Sequence, residues 1–431
     1  MQALYQFFDV VRQLSLADIL FGMAFFYPLA MAWLWMLGGF IFFIRREIPT
    51  PDLPIPTEEG CSIIIPCFNE QAQVHETIRY AIQTQYPKFE VIAVNDGSSD
   101  DTAKILNQLA EKYPQLRVVH LAENQGKAIA LHAGALVSQY EYLICIDGDA
   151  LLHPHAALWM MAQLANHPRV GAVTGNPRIL NRSSILGKLQ VGEFSSIIGL
   201  IKRAQRTYGR IFTVSGVIAG FRKSALFRVG FWSEKMITED IDISWRLQFD
   251  HWDIHYVPQA LCYIYMPETF KGLWKQRVRW AQGGIEVLFH YMPRIFHWHL
   301  RRMWLMIFEN LISVVWSYII LLIAILYLLG LFFPMPEDWY VQSILPQWYG
   351  ALLAFTSLCQ FGLSLYIDKR YDGGRFYRNY IWTIWYPIFF WMLSVMTTIV
   401  ALPKTVFNTK TRARWVSPDR GFQSSGDSSN E

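Results

Sequence analysis

Charge is the first thing this sequence lacks. Asp, Glu, Lys and Arg make up only 17% of its 431 residues, against roughly a quarter in a soluble domain. The net charge of +4 is small and dispersed, which excludes the basic footprint of a nucleic-acid-binding protein. Cysteine is sparse too. Cys61, Cys67, Cys145, Cys262 and Cys359 stand apart with no C-x-x-C pair, so a disulfide framework and a zinc ribbon are excluded and a reducing compartment is suited. Two nucleotide signatures are missing. No G-x-G-x-x-G opens the domain, and Gly126-Lys127 is no P-loop, because Leu121 and Ala128 stand where that motif needs Gly and Ser or Thr.

Apolar residues are what the chain has instead. They make up 53% of it, with 17 Trp and a mean hydropathy of +0.19, the profile of a membrane protein with aromatic belts. Residues 19–44 are uncharged and lie between Asp18 and Arg45-Arg46, long enough to span a bilayer. They lack the basic n-region and short apolar core of a signal peptide. Three more uncharged runs occupy 311–333, 348–367 and 380–402, the last interrupted by Pro387. The expected order is an amphipathic segment (1–18), an anchor (19–44) and a Pro-rich linker (45–60). An α/β domain (61–270), interfacial helices (271–302), a bundle of about three spans (303–402) and a basic, then disordered tail (403–431) follow.

Lys and Arg in the short loops set orientation. Arg45-Arg46 places the α/β domain on the cytoplasmic side. The loop at 334–347, with Glu337 and Asp338, reads as external. The loop at 368–379, with Lys369, Arg370, Arg375 and Arg378, reads as internal. Four simple spans would leave Lys404, Lys410, Arg412 and Arg414 outside, so either the last segment is re-entrant or the rule fails there.

Within the α/β domain, strand-like runs at 62–66, 91–94, 118–121 and 142–146 alternate with helical patterns at 74–85, 102–112 and 127–138, the second of them capped by Ser98-Ser99. Such alternation predicts a mostly parallel sheet with ligands at the carboxyl ends of its strands. The candidate residues fall there. Asn69-Glu70, Asp96-Gly97 and Asp147-Gly148-Asp149 follow strands, and Gly126-Lys127 opens a helix whose amides and dipole suit phosphate. The two carboxylates of Asp147-Gly148-Asp149 suit one Mg²⁺ or Mn²⁺ shared with a diphosphate; taken alone, the pair fits an ordinary Asp-Gly turn better. Thr238-Glu239-Asp240 supplies a candidate general base, although acidic residues also favour any helix N-terminus. Gln276-Arg277-Val278-Arg279-Trp280 offers guanidinium groups for phosphate and an indole face for a sugar; an interfacial basic-aromatic helix is the blander reading. His153 and His155 fit ordinary loop residues better than ligands. Glu309 is either a functional intramembrane acid or a snorkelling one.

The ordered set is more specific than any member. Pro66-Cys67-Phe68-Asn69-Glu70, Asp96-Gly97-Ser98, Gly126-Lys127-Ala128, Asp147-Gly148-Asp149, Thr238-Glu239-Asp240 and Gln276–Trp280 resemble the D, DxD, (T)ED and Q-x-x-R-W series of the processive family 2 glycosyltransferases. Cellulose, hyaluronan and chitin synthases belong to that group. Within it, IAVNDGSSD, NQGKAIAL, CIDGDALL, GAVTGNPRI, ITEDIDISW, LWKQRVRWAQGG and RARWVSPDRG are similar to bacterial synthases of poly-β-1,6-N-acetyl-D-glucosamine, although relatives of that kind often have two N-terminal spans and only one is evident here. The resemblance implies a GT-A fold, UDP-N-acetylglucosamine as donor, Mg²⁺ or Mn²⁺ at Asp147 and Asp149, and an inner-membrane enzyme. It implies Asp240 as base with Glu239 beside it. Pro66, Asn69, Glu70, Asp96, Lys127, Asp147, Gln276, Arg277 and Arg279 would hold the nucleotide-sugar, and Ser215, Gly216 and Trp280 the acceptor. It also implies export of a growing polysaccharide, and a small two-span membrane partner with cyclic di-GMP activation, for which Arg412, Arg414 and Arg420 offer basic groups. The alternatives are another processive synthase, a polyprenyl-phosphate glycosyltransferase, or a transporter with a cytoplasmic domain.

Overall fold

The computed structural model of the chain describes residues 15–49, 54–182, 184–343, 347–371 and 386–407. The expected N-terminal segment before Ser15, Arg375, Arg378 and the tail with Lys410, Arg412, Arg414 and Arg420 lie outside the described residues.

The strands form where β-branched and aliphatic residues run continuously, the pattern of a sheet covered on both faces. β1 (Cys61–Cys67) is buried throughout. It pairs in parallel with β2 (Phe89–Asp96) and with β4 (Tyr142–Ile146), and β2 pairs in parallel with β3 (Leu116–Leu121). Beyond β4 the sheet turns mixed. β7 (Ile218–Arg222) runs antiparallel to β4 and to β6 (Val170–Ile179). β8 (Asp253–Ile264) is parallel to β6, and the two-residue β5 (Leu151–Leu152) closes the edge antiparallel to β8. The order is β3-β2-β1-β4-β7-β6-β8-β5. The sheet is mostly parallel, as expected, with β6 and β8 running in the direction of β1 to β4. Only β7 and the short β5 run against the others, and no hydrophobic pattern announces that reversal because a buried strand reads alike in either direction.

The pleat sorts β1 between two cores. Ile63 and Ile65 join Ile78 of α1 (Val74–Ile82), Leu106 of α2 (Thr102–Lys112) and Met160 of α3 (Ala156–Asn166). Ile64 points the other way, with Leu131 of α4 (Lys127–Val137), Leu226 of α5 (Lys223–Val229) and Leu247 of α6 (Glu239–Phe249). Ser98-Ser99 does not cap α2. Asn69 takes both, its amide donating to Ser98 Oγ and its Oδ1 accepting from the Ser99 amide, while Asp100 Oδ1 receives the Thr102 amide at 3.0 Å.

Outside the sheet, α7 (Leu16–Phe42) starts in a capping box between Ser15 and Asp18. α8 (Ile185–Glu193) continues through a π turn into α9 (Ile201–Tyr208). α10 (Phe270–Ile295) leads to α11 (Trp304–Phe332), then α12 (Gln347–Asp368) and α13 (Tyr386–Phe407). Among the described residues three helices, Leu16–Glu47, Trp298–Phe332 and Gly350–Asp368, are long and apolar enough to cross a membrane. Of the fourth expected span, residues 380–385 lie outside the described residues; the rest falls in α13, whose stretch Trp391–Phe407 is apolar and has Lys404 in its last turn.

A closed ionic cluster fastens these helices to the sheet domain. Arg203 of α9 reaches Glu47 at 2.5 Å and Asp368 at 3.0 Å, and Arg178 of β6 reaches Asp368 at 2.7 Å. All four are buried, and the Tyr371 hydroxyl donates to Glu47 Oε2.

Candidate functional site

The carboxyl ends of β2 and β4 open on a cavity of about 910 Å³. Asp96, the last residue of β2, is fully buried and does not line it. Its two carboxylate oxygens accept the Gln125 and Gly126 amides, each at 2.8 Å. Burial raises its pKa, with those two amides opposing. Asp96 therefore fixes the loop that delivers Lys127 to the first turn of α4. Gly126 makes that entry at φ 94°, a backbone state that favours glycine.

Lys127 sits at the centre of an acidic cluster. Its ammonium lies 2.6 Å from Asp147 Oδ1 and 3.0 Å from Glu239 Oε1, and donates to the Gly216 carbonyl at 3.1 Å. Burial works against that charge, but Asp147 and Glu239 outweigh it and hold the proton. Asp240 comes from the first turn of α6. Burial first, then repulsion from Glu239, pushes its pKa up to about 6, whereas Lys127 overcomes the burial of Glu239 and lowers that one. Gly216 leaves room for both side chains: a Cβ on it would stand 3.1 Å from Asp240 Oδ2 and 3.4 Å from Lys127 Nζ, close enough to displace them. Ser244 ties α6 to the same loop by accepting the Val214 amide at 2.8 Å. Asp149 lines the cavity with Asp147. Gly148 between them lies under Pro66, whose carbonyl a Cβ would approach to 2.9 Å, and its own carbonyl accepts from Thr77.

α10 forms the roof, with Gln276, Arg279 and Trp280 lining the cavity. Arg277 faces away. It is buried, pairs with Glu193 at 2.9 Å, and packs its guanidinium 4.2 Å from the centroid of the Trp280 ring. Toward the membrane helices the lining changes to Tyr27, Trp35, Glu309, Asn310 and Ser313, with Trp35 Nε1 donating to Glu309 Oε1 at 3.1 Å. Lys202 lines the middle, donating to Thr174 at 3.0 Å, and burial lowers its pKa to about 7. The site thus combines a carboxylate poised near neutrality, a pair of hard oxygen ligands, an aromatic platform and a polar path into the membrane helices.

The sequence profile described as "Glycosyltransferase like family 2" matches residues 58–283, the stretch that carries every one of these groups except the membrane-facing ones. The chain is a family 2 glycosyltransferase. It is 39% identical over 410 residues to a poly-β-1,6-N-acetyl-D-glucosamine synthase of Staphylococcus epidermidis, spanning 93% of this chain and 98% of that one. It is 39% identical over 407 residues to the synthase of the same name from Staphylococcus aureus, with the same shares covered. In fold it is similar to a mannosyltransferase of Pyrobaculum calidifontis solved with GDP-Man and Mn²⁺. That similarity has a TM-score of 0.63 and 20% identity, and covers 91% of this chain and 99% of that one. The expected GT-A fold is therefore present, with its mostly parallel mixed sheet.

Of the residues singled out from sequence, the glycosyltransferase brings Lys127, Asp147, Asp149, Ser215, Gly216, Glu239, Asp240, Gln276, Arg279 and Trp280 to one cavity. Pro66, Asn69, Glu70, Asp96 and Arg277 do not line it. Pro66 and Glu70 pack against Gly148, Asn69 holds Ser98-Ser99, Asp96 holds the loop before Lys127, and Arg277 packs against the Trp280 ring. The rings of His153 and His155 sit 5.6 Å apart outside the cavity. Sequence reading missed Lys202 and Gln205, which line the cavity and belong to no motif; a basic residue within an otherwise buried helical turn was the available signal for the first.

Proposed function

We propose that this glycosyltransferase polymerises N-acetylglucosamine from UDP-N-acetylglucosamine into a β-1,6-linked chain at the cytoplasmic face of a bacterial inner membrane. The observation that carries the reading is Asp240, a carboxylate poised near neutrality in a cavity that continues among the membrane helices. The acceptor's C6 oxygen attacks the anomeric carbon as the bond to UDP breaks. Asp240 takes the hydroxyl proton, and one in-line displacement inverts the centre without a covalent enzyme intermediate. Lys127 pairs with Asp147 and keeps Glu239 ionised, and Ser215, Gly216 and Trp280 receive the acceptor. Gln276 and Arg279 close over the diphosphate.

Asp147 and Asp149 would hold a divalent cation. Among the described residues no group of three or more His, Cys, Asp or Glu is arranged to do so, which fits Mg²⁺, an ion that takes one or two carboxylates and leaves its other positions to phosphate and water. When bound, the ion neutralises charge on the leaving diphosphate. The name of the staphylococcal relatives favours N-acetylglucosamine over the sugars of other processive synthases.

Purified chain in nanodiscs, given UDP-N-acetylglucosamine and Mg²⁺, should release UDP and form a polymer whose methylation analysis gives 1,6 linkages. Excess EDTA and Asp149→Ala should each abolish release. Turnover undiminished in EDTA would defeat the metal assignment, and lipid-linked monosaccharide as the sole product would favour a polyprenyl-phosphate enzyme. A small two-span membrane partner and cyclic di-GMP belong to the same proposal. Co-expression with that partner and addition of the dinucleotide should raise polymer yield, and full activity indifferent to both would remove that part alone.

A further inference from the structure

A second cleft, of about 280 Å³, lies away from the catalytic cavity, where the start of β6 and the end of α6 meet the turn Trp298–Met303 that leads into α11. Its walls are cationic: Arg169, Arg210, Arg301 and Arg302, with His251 and His299. One of these charges is matched, Arg210 lying 2.6 Å from Asp253. Among the described residues no carboxylate pairs with Arg169, Arg301 or Arg302, and all three are exposed. Arg210 registers the excess. Burial lowers its pKa, Asp253 opposes, and Arg302 and Arg169 add to the lowering. Four guanidinium groups held together against one carboxylate repel one another unless an anion joins them.

The surroundings give the depth of this cleft. Phe296 and Trp298 beside it are 77% and 70% exposed, Arg301 stacks on the Trp298 ring, and the spanning helix begins in the same turn. Exposed aromatic residues at a span end sit at the lipid–water interface, so the cleft opens at headgroup level. Planar guanidinium forks match phosphate oxygens two at a time. We propose that this cleft is a binding site for a phosphate-bearing anion, either the phosphodiester of an acidic lipid headgroup or a dissolved phosphate. It is independent of donor binding, and when filled it fixes the sheet domain against the bilayer.

The test uses the full chain in neutral detergent, with saturating UDP and Mg²⁺ to occupy the catalytic cavity. Native mass spectrometry follows short-chain phosphatidylglycerol against phosphatidylcholine, and calorimetry follows inorganic phosphate. Arg169→Gln and Arg302→Gln remove exposed charges without touching the Arg210–Asp253 pair. Each should weaken the favoured anion roughly fivefold, the worth of one arginine at a lipid surface, and the pair more. Lys104→Gln and Lys112→Gln, on exposed α2, should change nothing. Tight phosphatidylglycerol binding assigns the site to lipid, and phosphate binding with indifference to lipid assigns it to a soluble ligand. Binding equal in wild type and both arginine variants, or absent for both probes, overturns the proposal.

Discussion

Two buried ionic clusters lie near the adjacent residues Lys202 and Arg203 of α9, and they are built to different rules. At the membrane junction, Glu47, Arg203, Asp368 and Arg178 form a closed set of two positive and two negative charges. In the cavity, Lys127 pairs with Asp147 and Glu239 beside Asp240 and Asp149, with Lys202 and Arg279 on the same lining, three cations against four carboxylates. The first set is balanced and has no access to ligand; the second keeps an excess of negative charge and opens on space. Burying charge costs several kcal/mol per ion unless it is matched. A balanced cluster therefore serves architecture, and an unbalanced one keeps a group away from its ordinary protonation behaviour. The neighbours Lys202 and Arg203 divide the two tasks, one reaching the cavity lining and the other the junction.

The sharpest way to break this comparison is Asp240→Asn. It keeps the shape and removes the basicity, so turnover should fall by about two to four orders of magnitude, the usual worth of a general base, while UDP-sugar binding persists. As the proposed base, Asp240 acts only when ionised, so with its pKa about 6 wild-type kcat should rise with pH through that value and level off above it. The stability effect has the opposite sign. A carboxyl whose pKa is raised by folding weakens the fold progressively as pH climbs from its ordinary value to the raised one, so the Asn variant should unfold at a higher temperature than wild type at pH 8 and show little of that gain at pH 4. Lys127→Gln sharpens the point. Lys127 is what holds the Asp240 pKa down, so the midpoint of the pH–rate profile should move above about 6. An unchanged midpoint would show that the ammonium does not govern the base.

Next in size is the closed cluster. Arg203→Met leaves Glu47 without its guanidinium and Asp368 with only Arg178, and breaking a buried pair costs about 3–5 kcal/mol. The variant should unfold early in detergent, or fail to accumulate, with every activity lost in proportion to folded protein. Removing Glu47 as well, in Glu47→Met with Arg203→Met, restores one-to-one balance with Arg178 and Asp368 and should recover most of the loss. Failure to recover would mean that the junction needs the charges themselves and not only their balance.

These clusters also mark what the sequence could say. β1 and β4 were legible because an unbroken aliphatic run that stops near Asn or Asp fits little besides a buried strand, and the Asp147 and Asp240 motifs came together as expected. The antiparallel turn of β7 was not, since nothing in IAGFR encodes direction. Nor was the Arg203 cluster, whose members lie up to 321 positions apart, at 47 and 368. Arg277 shows the limit of motif reasoning most plainly. Residues 276 to 280 share one helix, and at 100° per residue neighbouring positions cannot all face one cavity. Gln276, Arg279 and Trp280, at spacings of three and four, share the lining face, and Arg277 is turned to Glu193.

That geometry supplies the smallest and most discriminating prediction. Trp280 offers its ring to the cavity while Arg277 packs against it at 4.2 Å, itself held by Glu193. One stacked aromatic contributes about 1 kcal/mol beyond burial. Trp280→Ala should therefore slow elongation roughly fivefold and shorten the polymer while leaving UDP affinity near wild type. Glu193→Gln leaves the indole in place but loosens the guanidinium beneath it, so its effect should have the same sign and be smaller, and combining it with Trp280→Ala should add little. Full additivity would show that Arg277 and Glu193 act elsewhere. Equal loss of elongation and UDP affinity in Trp280→Ala would show instead that the ring supports the roof helix and does not serve as a sugar platform.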